Sequence, residues 1–475
     1  MENEVIFTNK ATIPPPSPAV SSPTSPVPPV LPTPLTAAST PPLPPPSSGR
    51  NKSLFIRIGI GIGVLLVVVI LISVMWRIFH KEQVVSLTLW GLWDDPKVMQ
   101  EVIGEFEKKH PLIKISYVKQ DLKQYRERLT TRIPSGTGPD IYYFHNTWTP
   151  MLSRLLAPLP LDVISPATFQ QTYYPVAQTD LVRNGAIYGL PLGIDTLALF
   201  VNTDLQKAAG GAIPQNWDDF KKAAQQLTAR DGGNIKTAGA AIGTIDNISH
   251  SYDVISLLFV QNGVDLRNFA GSSTPVIEAL KYYTNYATGE NSVWDSSLDP
   301  SLLAFSHGNL AYFFGYSWDI FNFKALNPTL PFAVYPVPSL PSRTMTIASY
   351  WAVGIAANTK QQKAAGLFVA YLTQKDTAQK LYTQAKKTRG FGMPYARLDL
   401  ADTLKDDLLI YPFIQQAKGA VSSYFASDTF DNGLNTKMNA YLGNAVRKIL
   451  DNNVPESVVE ELTKGVIQVQ NDYGR

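Results

Sequence analysis

From Ile58 to Trp76 the chain carries no charged residue, and the apolar run around it, Leu54 to Trp76, reads LFIRIGIGIGVLLVVVILISVMW. At about 1.5 Å rise per residue a helix over these positions covers roughly the 30 Å hydrocarbon thickness of a bilayer. A buried core helix is ordinarily shorter and carries some polar positions, so the run is read as a transmembrane helix. Arg50, Lys52 and Arg57 precede it and Arg77 and Lys81 follow it. That slight positive excess places the N-terminus in the cytosol and the long C-terminal part outside.

The run is an uncleaved anchor rather than a signal peptide. A signal peptide has a short basic start, an apolar core of about 7 to 15 residues and a small-residue cleavage site. Here about fifty residues come first, and Met75, Trp76, Arg77, Ile78 and Phe79 offer no such site. The chain has no cysteine, which excludes a lipidated cysteine tether and any disulfide. Residues 1–53 are rich in Pro, Ser, Thr and Ala, with runs such as PPPSP and PVPPVLPTP. Dense proline removes backbone donors and fixes φ, and large apolar residues are too few for a core, so a disordered tail with polyproline II character is expected. It serves as a spacer, or through its PxxP matches as a ligand for a proline-reading partner. Gly59 and Gly63 make a GxxxG that could pack a second helix, although glycine is common in membrane helices anyway.

After a linker over residues 77–83 the composition becomes globular, and residues 84–475 exceed what one core usually serves, so two lobes are expected. Val85 to Trp90 alternates as a strand does. Asp94 and Asp95 before Pro96 start a helix whose Val98, Val102 and Phe106 share a face, and Ile113 to Val118 is the next strand. This is a βαβ unit with parallel strands. Downstream, SGTGPDIYYF is a glycine turn and a buried strand. LPLGIDTLALFVNTDL is a strand interrupted at Asp195, and Pro214 to Leu227 an amphipathic helix. HGNLAYFFGYSWDIF is a strand ending in an aromatic loop, and YWAVGIAA a strand leading to the helix Lys360 to Leu372. Such alternation argues for α/β layers with ligands at the carboxyl ends of strands.

Catalytic and metal motifs are missing. The five histidines, His80, His110, His145, His250 and His307, are scattered without an HxH or HExxH pair. There is no GxSxG, P-loop or strand-borne GxGxxG. No cofactor or metal is expected; paired carboxylates for glycoside hydrolysis are defined in space and stay open at this point. Trp93, Trp148, Trp318 and Trp351 each fall at or just beyond a predicted strand end beside a polar residue, namely Asp94, Asn146, Asp319 and Tyr350. Core packing accounts for any one of them, whereas four at strand ends favour a cleft for a ligand with CH faces and a rim of hydroxyls.

In order along the chain, LTLWGLWDD with EFEKKHP, GPDIYYFHNTW with LLAPL, AIYGLPLGIDTLALFVNTDL, IPQNWDDF, GNLAYFFGYSWDIF and SYWAVGIAANTKQQKAAGLFVAYLT resemble the family 1 extracellular solute-binding proteins, the maltose-binding-protein-like receptors of ABC importers. The resemblance implies an α/β periplasmic-binding-protein-like type II fold of two lobes with crossing strands, here preceded by one transmembrane helix and the Pro-rich tail. The first lobe is expected at about 84–194 and 350–395, the second at about 195–349 and 396–475. It also implies a ligand site formed by Trp93, Asp94, His145, Asn146, Trp148, Asp195, Tyr252, Tyr316, Trp318, Tyr350, Trp351 and Arg389, with Tyr316 and Trp318 matching the pair that stacks on sugar rings. The function implied is a tethered receptor that binds a carbohydrate, without catalysis, and delivers it to permease and ATPase subunits of an ABC importer. No nucleic acid is involved, and membrane lipid is met through Leu54 to Trp76. An anchored carbohydrate-active enzyme, or a surface sensor or adhesin, is the rival reading. Two departures from the family stand out: the retained membrane helix with its tail, and the lack of any permease or ATPase in the chain.

Overall fold

The computed structural model describes residues 52–79, 83–341 and 343–474. It divides into two units, Met1–Lys81 and Glu82–Arg475, each taken by itself below. In the first unit Lys52–Phe79 is one continuous helix of 28 residues. Its side chains are described at 60–73 and 75, and all of these are exposed. Among the described residues no helix is long and apolar enough to cross a membrane. The expected Pro-rich tail lies outside the described residues.

The second unit opens with the expected βαβ unit. Strands Val85–Gly91 and Ile113–Lys119 pair in parallel from Val85↔Ile113 to Gly91↔Lys119. Helix Pro96–Lys109 joins them, and the Asp95 carboxylate caps its start by accepting from Lys97 N at 2.7 Å. Its buried stripe is Met99, Val102, Ile103 and Phe106; Val98 sits at the edge of that stripe, half-buried. The fully buried strand Ile141–His145 pairs in parallel with the first strand and antiparallel with Trp351–Ala356. Leu156–Ala157 and Leu190–Pro191 both pair with Trp351–Ala356 and complete the first sheet.

The chain then leaves the first lobe. The long apolar stretch breaks at Asp195, and Ala198–Asn202 belongs to a second sheet, between Phe332–Tyr335 and Leu310–Gly315; Asn234–Ala240 and Ala229–Asp231 extend it. Alternation along Ala198–Asn202 divides two layers. Leu199 and Val201 belong to one buried cluster with Trp217, Phe220 and residues of the terminal helices Leu434–Leu450 and Pro455–Asp472, while Ala198 and Phe200 belong to another with Phe305, Phe313 and Phe323.

Three segments connect the lobes. Residues 192–197 lead out and 336–350 lead back, and the two lie against each other: Leu197 N donates to Ile347 O at 2.8 Å and Ser349 N to Asp195 O at 3.0 Å. The third, Ala420–Ser422, pairs in parallel with Thr346–Ala348. It falls later than the boundary at 396 read from the sequence. Arg397 still bridges Tyr173 of the first lobe and donates to Thr373 O, and the turn Leu398–Leu404 packs against helix Pro166–Thr172. Helix Trp217–Leu227 begins later than expected as well, because the Asn216 side chain caps it by accepting from Asp219 N at 2.9 Å.

Candidate functional site

The site lies where the crossing segments meet the strand ends of both lobes. On the first-lobe side, strand Trp351–Ala356 begins beside the end of strand Ile141–His145, with Trp351 opposite His145. Trp351 meets Trp93, His145 and Trp148 edge to face, at centroid distances of 5.7, 5.4 and 5.2 Å. Aromatic pairs favour this arrangement because the positive ring edge meets a negative face. Trp93 and Trp351 keep partly exposed surface, whereas Trp148 is wholly buried and its indole N–H finds no acceptor. Trp148 therefore supports Trp351, which in turn meets Trp93. Asp94, partly exposed, accepts from Tyr143 Oη at 2.9 Å, which fixes its carboxylate next to Trp93.

His145 and Asn146 serve the crossing rather than the surface. His145 is buried, with Nδ1 2.8 Å from Thr147 Oγ1 and Nε2 3.0 Å from Ser349 Oγ. Burial lowers its pKa to about 3, so the ring is neutral. The Asn146 amide nitrogen donates to Asp180 Oδ2 at 3.1 Å and Ser422 Oγ at 2.8 Å, and its oxygen accepts from Tyr350 N at 3.1 Å. Tyr350 Oη donates to the same Asp180 oxygen at 2.8 Å. Asp180, Asn146, Tyr350 and Ser422 thus knot the second and third crossings to the first lobe. The polar atoms of Asn146, His145 and Tyr350 are thus taken up by neighbouring residues of the crossing.

The second-lobe side is built on the loop after strand Leu310–Gly315. Gly315 is required there: a Cβ would come within 2.6 Å of Asp319 Oδ2, the oxygen that accepts from Tyr316 N. Tyr316 and Trp318 stack on each other, 4.5 Å apart at 16°. Tyr316 is buried, donates from Oη to Asp253 Oδ1 at 2.8 Å, and so underlies the partly exposed Trp318. Of the pair that sequence singled out, only Trp318 presents a surface. Asp195 is likewise internal. Its carboxylate accepts from Ser317 N and Thr196 N, both at 3.0 Å, and from Ser317 Oγ. Burial raises its pKa to about 8 against the opposing pull of those hydrogen bonds. Through these bonds Asp195 holds the aromatic loop to the first crossing.

Tyr252 is placed elsewhere. Successive helical residues point about 100° apart, and Tyr252 turns to helix Leu434–Leu450, its hydroxyl against Gly443 beside the Asp246–Arg447 ion pair. Its neighbour Asp253 is the one that reaches the loop. Arg389 ends helix Lys375–Arg389, and its side chain lies outside the described residues.

Sequence reasoning missed the charged centre beneath Trp318. His250 Nε2 is 2.9 Å from Asp319 Oδ2 and its Nδ1 is 3.6 Å from Asp428 Oδ2. Burial alone would lower the His250 pKa, but the carboxylates of Asp319, Asp428 and Asp253 raise it to about 9. His250 and Asp319 stand 69 residues apart, a separation without a local signal. Asp428 is half exposed and has φ 56, in a loop where Phe430 and Asn432 also have positive φ. Arg126 of the first lobe holds that loop through the carbonyls of Asp431 and Asn432. Among the described residues no group of His, Asp or Glu is arranged to hold a metal. The contacts run unbroken from Trp93 through Trp351, His145, Ser349, Asp195 and Ser317 to Trp318, so the partly exposed rings of both lobes converge on the crossing.

Residues 90–379 match the sequence profile of the bacterial extracellular solute-binding proteins. A putative binding protein of Brucella abortus is 25% identical over 294 residues, 58% of this chain and 68% of that protein. The multiple sugar-binding protein of Streptococcus mutans is 23% identical over 296 residues, 60% of this chain and 70% of that protein. Among solved structures, the cyclic alpha-maltosyl-1,6-maltose binding protein of Arthrobacter globiformis aligns with a TM-score of 0.66 at 18% identity, covering 82% of this chain and 99% of that one. The sugar-binding protein MalE of Xanthomonas citri aligns with a TM-score of 0.65 at 19% identity, over 82% and 98%. These structural likenesses carry the two-lobed fold.

Proposed function

The chain belongs to the family of bacterial extracellular solute-binding proteins, binding proteins rather than enzymes, and from that premise we propose that it is a membrane-tethered receptor for a neutral carbohydrate. It hands its ligand to an ABC importer whose permease and ATPase are separate chains. The observation that carries this reading is the convergence of Trp93 and Trp351 from one lobe with Trp318 from the other on the crossing strands. Aromatic faces take the CH faces of a sugar ring, and the carboxylates of Asp94 and Asp428 accept from its hydroxyls while disfavouring an anion. The sugar-binding relatives named above agree with this class. The helix Lys52–Phe79, about 42 Å long at 1.5 Å per residue, is assigned as the anchor on its apolar sequence. The N-terminus is then cytosolic and the binding unit extracytoplasmic.

Calorimetry of the purified full chain against a panel of neutral mono- and oligosaccharides tests the reading. One class of sugar is expected to bind, and Trp318→Ala to weaken it about tenfold, the loss of one stacking face worth about 1 kcal/mol or more. Binding of no sugar, or a sugar bound equally well by Trp318→Ala and Trp351→Ala, would refute it.

A further inference from the structure

A groove whose lining includes none of these rings carries two arginines. Its volume is about 490 Å³, and it is lined by Pro175, Gln178, Thr179, Val182 and Arg183 from the first lobe and Arg267 from the second. Each wall is tied to a crossing strand. Helix Pro175–Leu181 buries Ala177, Asp180 and Leu181 and sets Asp180 against Ser422 of the third crossing, which leaves Gln178 and Thr179 toward the groove. Arg183 follows directly, in a hairpin with Ala186–Ile187. On the other side, helix Ser251–Gln261 is pinned to the second crossing by Gln261, which donates to Pro338 O and Met345 O. The loop that follows carries Arg267, whose backbone N–H is bound by Asp265 Oδ1 at 2.9 Å.

We propose that this groove binds a small phosphate-bearing anion and that the anion bridges the two lobes. Two guanidinium forks, with an amide and a hydroxyl beside them, match the several acceptor oxygens of a phosphate, and planar bidentate recognition is what arginine adds over a simple point charge. The volume lies within the roughly 300–1,000 Å³ of small-ligand sites. Because the forks belong to different lobes, an anion held by both favours one angle between them and is thereby coupled to whatever closes the cleft. The inference stands on the groove alone and does not depend on the ligand being a sugar.

The test is calorimetric titration of the full chain in detergent with inorganic phosphate and, separately, with pyrophosphate, at fixed ionic strength with chloride as control. Saturable binding is expected, and Arg183→Gln and Arg267→Gln should each weaken it about tenfold or more. Both side chains reach solvent, so the variants should melt as the parent does without phosphate. Absence of saturable binding by either probe, or binding unchanged in the two variants, overturns the site. Weakening in only one variant overturns the bridge between lobes.

Discussion

Replacing Asp195 by alanine separates the two roles this residue can have. Its carboxylate is 4% exposed and takes hydrogen bonds from Ser317 N, Thr196 N and Ser317 Oγ. Asp195→Ala leaves three buried donors without an acceptor. Each orphaned donor costs about 1–3 kcal/mol. The Ser317 hydroxyl can rotate to another partner, and removing a desolvated carboxyl returns part of the loss, so a net destabilisation of about 3 kcal/mol is expected. Asp195→Asn should cost less, because its amide oxygen still accepts from one backbone N–H while its NH2 cannot accept from Ser317. Urea unfolding of the full chain measures this as a lower midpoint at unchanged slope, and calorimetry on the same samples reports ligand affinity. A variant destabilised by less than about 1 kcal/mol that nevertheless lost its ligand would refute the reasoning, since Asp195 would then be a ligand group.

Three further expectations follow from the same network and from the anchor. His145, whose pKa burial lowers from 6.5 to about 3, gains its proton only on unfolding, so its contribution is complete above about pH 6.5 and is lost as pH falls toward 3. Unfolding midpoints from pH 7.5 down to 4 should therefore drop more steeply for the parent than for His145→Gln, and equal slopes would count against this assignment. Tyr350→Phe deletes one donor to Asp180 but keeps those from Asn146 and Ser422, and should cost about 1–2 kcal/mol in the same assay; no change would show the knot to be unimportant. Protease added to intact cells should remove the binding unit and spare the tail, and protection of the binding unit would reverse the proposed orientation.

The elements were legible in the sequence because what makes them is local. The alternation of Val85–Trp90, the Asp95–Pro96 helix start and the apolar strand IYYFH each lie within a few residues, and the structure places strand, helix and strand there. Motif order along the chain extended this to two lobes exchanging strands near Asp195 and Tyr350. The side chains of the site divided differently. Trp93, Trp318 and Trp351 were identified from their places at strand ends and keep partly exposed surface. Tyr316, sharing a motif with Trp318, is buried beneath it, and Asp195, Asn146 and Tyr350 spend their polar atoms on pairings between distant segments.

Those pairings were beyond the sequence. Asn146 meets Ser422 across 276 residues and His250 meets Asp319 across 69. Residue type and spacing fix which way a chain coils or extends, since those preferences come from its own backbone and nearest neighbours. Whether a carboxylate faces a ligand or a buried N–H depends on which remote segment is packed against it, and only the assembled crossing of the two lobes decides that.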